Sequence, residues 1–412
     1  MGSIACCARE DEISRDVEEI VCVDGRALQN CRGPVSVRVP DGVTSIADRA
    51  FCDCRMLVSV SLPASLTCIG EGAFRGCDLL RAVSLPEAVS ALGSGAFLGC
   101  YSMSFANLPA DLAAIEDNVF SGCKQLAFVK LPSCLQSIGS WAFFGCASLA
   151  DVDLPRSVTW IGTCAFYSCS SIGTLRIPRA VTAIQPGTFA YCSSVTDVLI
   201  PSSVVSIGSW AFRDCCSLAS VQIPDSVESI GYHAFAWCGR LGSVELPPSV
   251  TTIGRGAFTA CVSLRQVGIP ESVTTIGDGA FVWCAALAHV HIPGSVRNIG
   301  DDAFFGCGPA LAVSLPGHVA HVGKRAFPPD VSITVRAGRG SVSPRPLDSR
   351  ELVVRAVAHL EEEHAPRGDE PVGPGSALVL RAAKDGRASL GDKRLASGDE
   401  CPAIECGCLA LE

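Results

Sequence analysis

The chain has 412 residues, 48% hydrophobic and 18% charged, so it carries enough apolar material for a substantial core. Its net charge of −9 argues against nucleic acid as a partner, because such binders carry a basic stripe. No apolar run approaches the roughly 20 residues that span a bilayer, and the start MGSIACCAREDEISRD lacks the basic and apolar segments of a secretory signal, so a cytoplasmic location is expected.

Residues 1–16 read as a disordered tail with an acylation motif. Gly2 after the initiator fits M-G-x-x-x-[ST], except that Cys6 stands where Ser or Thr is preferred. One myristoyl chain attaches only marginally, and the acidic REDEISRDVEE cannot supply a second signal. Palmitoylation of Cys6 and Cys7 can. Membrane attachment through N-terminal acyl chains is one expectation, and an unmodified tail is the other.

From residue 40 onward the chain repeats. Proline recurs from Pro40 to Pro316 at a fixed interval of 23 residues, through thirteen copies without an insertion. A constant period of this length marks a solenoid whose coils stack on one another. Counted from each proline, Val or Leu falls at +3, Ile at +6, Gly at +7, Ala at +10, Phe at +11, Cys at +14, Leu at +17, Val at +20, and Ile or Leu at +22. Val and Ile two apart share one face of a strand, as Val221 and Ile223 do, and Pro224 ends it for want of an N–H. Gly at +7 suits a tight corner. Phe and Cys three apart fall on one side of a short helical turn. A single coil cannot bury these side chains, but a stack of coils can. The phenylalanine column runs unbroken from Phe51 to Phe327, each ring worth roughly 1.5–3 kcal/mol when buried. At a strand spacing of about 4.8 Å the rod should be on the order of 65 Å long.

The motif LPxSVTSIGxxAFxxCxSLxxVxIP closely resembles the BspA-like, type 5 or treponemal, leucine-rich repeats. The match covers about residues 40–327. The resemblance implies a curved right-handed solenoid with a parallel sheet on one face, binding or attachment roles in secreted surface proteins, and no catalytic residues. The expected fold is therefore a right-handed leucine-rich-repeat β-solenoid or horseshoe over residues 40–338. Residues 17–39 act as a degenerate capping coil, with Val37 and Val39 in its strand, and VSITV near residue 335 as a closing strand.

After GRGSVSPRP, a linker over 339–346, residues 347–412 read as a small α+β region, with a helix capped at Asp348 or Ser349 and strands in SALVLRAA and CGCLALE. That region faintly resembles a ubiquitin-like β-grasp.

Chemical motifs are scarce. Thirteen of the 24 cysteines, Cys31 to Cys307, occupy +14, and one residue type at one core position is a packing solution. FCDC (Cys52, Cys54) and CPAIECGC (Cys401, Cys406, Cys408) lack the paired C-x₂-C of structural zinc. In HLEEEH, His359 and His364 diverge by about 140° on a helix and cannot share a metal. GHVAHVGKR has one residue too many between its glycines for a phosphate loop and no Ser or Thr after Lys324. His289 and His291 flank Val290 on one strand, and without a third ligand nearby in sequence they read as solvated surface. No catalytic residue, cofactor or metal site is expected.

Strand positions +19 and +21 project outward from the sheet. Most are small, such as Ser59, Ser61, Ala82 and Ser84, but between the third and seventh coils they become Phe105, Phe128, Lys130, Asp151, Asp153, Arg176 and Asp197. Aromatics beside Arg and Asp are the composition of an interface centre. These seven residues are expected to form one patch that binds a protein ligand, with Trp141, Trp210, Trp237 and Trp283 on another face as the alternative. The expected function is a non-enzymatic protein-interaction scaffold. A cell-surface adhesin that binds host or matrix proteins is the alternative.

Overall fold

The computed structural model describes the backbone of residues 18–21 and 33–336. Gly2, Cys6, Cys7, Cys31, the linker and the region 347–412 lie outside the described residues.

The repeat folds as a parallel β-solenoid of 23-residue coils. Strands such as Phe105–Asn107, Phe128–Lys130 and His289–His291 come from +19 to +21 and pair in parallel with the equivalent residues of the next coil. Val83, Val129 and Val290 face the core while their neighbours face solvent. At the N-terminal end Val35–Arg38 pairs with Leu57–Ser61, burying Val37 and Val39, and Glu18–Val21 adds a further parallel strand. At the other end Ser332–Arg336 closes the sheet against Ala312–Pro316.

Phenylalanine forms the spine. Phe51 through Phe304 are fully buried, and each ring lies parallel to the next with centroids 5.1–5.7 Å apart, on to Phe327. Its backbone explains the turn around it. The N–H groups at +9, +11 and +13 donate to carbonyls of the next coil, as Arg49, Phe51 and Asp53 do to Glu71, Ala73 and Arg75. Those at +10, +12 and +14 close four-residue turns within their own coil, each by a bond to the carbonyl three residues earlier. Alternating the N–H direction requires left-handed backbone at +9 and +13 in every complete coil, where φ is about 50–75°. The expected helical turn is thus a string of tight turns, each stopped before it can propagate.

A second ladder, of two-residue strands at +5 and +6, accompanies the first. It runs continuously from Ala183–Ile184 to His321–Val322, but is interrupted between Ala91–Leu92 and Ala114–Ile115, and again between Trp160–Ile161 and Ala183–Ile184. The cause is at +7. Gly231 carries no left-handed φ, and a Cβ there would come within 2.5 Å of the Ser209 nitrogen in the preceding coil. Gly162 is equally close to Ser140. Glycine at +7 therefore serves close approach between coils, where a corner was expected. The coils that follow the two breaks carry Glu116 and Gln185 at this position, where a Cβ placed as at Gly231 would meet the preceding coil, and there the ladder pairing is lost. Two results follow from this. Gly231→Val should cost about 3 kcal/mol through overpacking and lost ladder bonds, read from denaturant unfolding. Glu116→Gly should slow hydrogen exchange at the amides of residues 113 and 116, and unchanged exchange would refute the steric cause.

Candidate functional site

The sheet face is built by the alternation of each strand, which buries +20 and presents +19 and +21. Phe105, Phe128, Lys130, Asp151, Asp153, Arg176 and Asp197 are all exposed. Phe105 and Phe128 are register partners, 39% and 50% exposed, and their rings stack at 6.0 Å. Two large apolar rings this open are unusual beside serine-lined neighbours. The small Ala106 beneath Phe105 does not draw it inward; Ala106 is itself buried and Phe105 leans on Phe128 instead.

Five charges stand beyond the rings. Among the described residues, Lys130, Asp151, Asp153, Arg176 and Asp197 form no ion pair, whereas charges on the turns do pair between coils, as Arg49 with Glu71 and Arg325 with Asp302. The seven side chains do not share one continuous ladder. The strand carrying Phe105 pairs with Ala82–Ser84 on one side and with the strand carrying Phe128 on the other, and Thr174–Arg176 pairs with Asp197–Leu199. Residues 151–153, between these two groups, make no ladder pairing although Val152 and Leu154 stay in the core.

On the other side of Phe105 lies a shallow depression of about 580 Å³, lined by Ser36, Ser59, Ser61 and Ser84. Its last strand, Ala82–Ser84, is the register partner of Phe105–Asn107. The lining residue Ser84 stands opposite Asn107, and Val37, Val60, Leu62, Leu85 and Pro86 supply the apolar part of the depression.

The four tryptophans belong elsewhere. Trp141 and Trp210 occupy +9 and Trp237 and Trp283 occupy +13, all in left-handed backbone on the turns and all half-buried. Nearby, Phe144 stacks on Tyr167, and Tyr167 tilts against Tyr191.

The cysteine column is reduced and buried from Cys54 to Cys307. From Cys77 onward each thiol donates to the carbonyl of the phenylalanine in the preceding coil, as Cys77 does to Phe51 at 3.2 Å and Cys238 to Phe212 at 3.2 Å. The same carbonyl accepts the backbone N–H of its own coil's cysteine, so both lone pairs are used. Cysteine fits because it is small, apolar and a donor. Burial pushes the thiols up, to about 12 at Cys123, Cys192, Cys261 and Cys307, which leaves no thiolate for metal or redox chemistry at neutral pH. Among the described residues no group of three or more His, Cys, Asp or Glu is gathered to hold a metal, and no helix is long and apolar enough to cross a membrane.

Coils of this length, stacked through a parallel ladder and a buried phenylalanine spine, define a leucine-rich-repeat solenoid. The chain belongs to the BspA-type leucine-rich-repeat family, matching its repeat region over residues 12–127, 114–241 and 211–334. Among solved structures it is similar to a leucine-rich repeat protein of Bacteroides ovatus, at 24% identity over 66% of this chain and 88% of that one, with a TM-score of 0.46. A leucine-rich repeat protein of T. pallidum is 30% identical over 50% of this chain and 78% of its own, with a TM-score of 0.34. A leucine rich cell surface protein of Faecalibacterium prausnitzii is 23% identical over 74% and 89%, with a TM-score of 0.37. A comparison with curated proteins gave no match.

Proposed function

We propose that the protein is a non-enzymatic scaffold that docks another protein on its sheet face, centred on Phe128 and Phe105. The observation that carries this reading is the stacked, exposed ring pair beside five charges that form no ion pair among the described residues. Such rings gain roughly 25 cal/mol for each Å² that a partner covers. Lys130 and Arg176 suit acidic groups on that partner, and Asp151, Asp153 and Asp197 suit basic ones, which fixes its orientation more than its affinity.

Phe128→Ala and Arg176→Ala should each weaken binding at least tenfold without altering the melting temperature, since neither side chain is in the core. Ser61→Ala and Ser84→Ala should change nothing. The measurement is recovery of a partner by immobilised full-length protein, compared across these variants. A partner held equally by all four, or lost only on substituting Trp210 or Trp283, would place the working surface on the turns instead.

The cytoplasmic location expected from the N-terminus gains no support from the relatives, one of which is described as a cell surface protein. Protease treatment of intact cells separates the alternatives. Digestion of the solenoid assigns it to the surface as an adhesin, and protection assigns it to the interior.

A further inference from the structure

We propose that the outer face of strand His289–His291 binds a divalent late first-row transition metal, with His289 and His291 as imidazole ligands and the Glu245 carboxylate as the third donor. The site is independent of the docking surface around Phe128.

Both histidines are exposed and Val290 between them is buried, so the imidazoles stand on the same face, roughly 6.6–6.8 Å apart at Cα. Two nitrogens each about 2.0–2.1 Å from one metal need only lean together from that spacing. The neighbours leave them room. His289 stands opposite Ala312 and Gln266, and His291 opposite Ser314. Continuing the same register sets Gly268 beside His291, and Gly268 in turn is the partner of Glu245.

Gly268 supplies the second observation. A Cβ at this position would overlap the carboxylate of Glu245. The glutamate has therefore left its own strand and lies across the bare glycine, about one strand spacing of ~4.8 Å nearer His291. Any side chain at residue 268 would bar it. No three such side chains yet surround a common point among the described residues. Closing the site requires rotation of surface side chains across two strand spacings, which a glutamate and a histidine with a metal between them can span. Two imidazoles with one carboxylate suit zinc, copper or nickel over calcium or magnesium, and water completes the coordination. The third donor that local sequence could not supply comes from two coils away.

The test uses the full-length protein with accessible thiols capped by iodoacetamide, so that exposed Cys216 does not compete. Titration with Zn²⁺ in a calorimeter at neutral pH should show one saturable site in the micromolar range. His289→Ala and His291→Ala should each loosen it at least tenfold, and Glu245→Gln several-fold. With Cu²⁺ as the probe, the electron paramagnetic resonance signal should show nitrogen coupling that is lost in the double histidine variant. Absence of saturable uptake overturns the proposal, as does uptake that survives loss of both histidines. An affinity unchanged by Glu245→Gln overturns the three-donor site.

Discussion

Raising the pH from 8 to 11 should unfold the solenoid along most of its length, with a transition far steeper than its lysines and tyrosines would give. The cause is the thiol column. Burial raises the folded-state pKa of these thiols above the ordinary value near 8.5. The native state therefore favours the protonated form, and this contribution is complete below about pH 8.5. It is lost as pH climbs from there toward about 12 at Cys123, Cys192, Cys261 and Cys307. Each such thiol removes roughly 1.4 kcal/mol per pH unit, so these four together remove on the order of 5 kcal/mol per unit. Against a typical stability of about 5–15 kcal/mol, two pH units suffice. A thiolate would also lose its hydrogen bond and face the phenylalanine carbonyl as a second negative centre. Circular dichroism followed against pH gives the transition. Alkylation at neutral pH should label Cys216 and spare the column, then reach it as the fold opens. Cys192→Ala should flatten the pH slope by about one thiol's share. A native spectrum that persists to pH 11 would contradict the argument.

Phe212→Ala should cost roughly 3–5 kcal/mol, because it removes a fully buried ring and leaves a cavity between Phe189 and Phe235. Neither neighbour can close the gap, since each is held by the hydrogen bonds that join its coil to the next. The spine is also the route by which the coils on either side stabilise one another. Thermal unfolding should therefore split into two transitions, with the coils before and after residue 212 melting separately. Phe327→Ala, at the half-buried end of the column, should cost less and leave a single transition. Equal losses at the two positions would mean that the stack contributes no more than its individual rings.

Much of this architecture is written in the sequence because the core positions are filled by one residue type each. Proline, phenylalanine and cysteine mark the frame, and the outward columns follow from strand alternation. The left-handed positions are hidden because they hold residues as unlike as Arg49, Trp141, His233 and Gly256. Their constraint acts on the backbone and leaves the side chain free. Ile at +6 marks the second ladder, yet a two-residue strand is too short to alternate. Glycine at +7 is visible, but sequence cannot distinguish a left-handed φ from the approach of another coil. The exposed residues of the candidate site were legible one by one. Their division by the unpaired residues 151–153 was not, and neither was the reach of Glu245 toward His291, since both depend on what lies in neighbouring coils.

The backbone and thiol hydrogen bonds between coils link residues 21–26 apart, as Cys100 does to Phe74. Seen from the gene, this makes a coil an exchangeable module of about 69 nucleotides, a whole number of codons. Unequal crossing-over between two copies would keep the reading frame and rejoin proline to proline. It would delete or add complete coils whose new neighbours present the same phenylalanine, cysteine and glycine. The length of the rod can thus drift by about 4.8 Å at a time while the fold persists. Copies that bear singular residues, such as Phe128 or His289, are the ones whose loss or duplication would alter what the surface recognises.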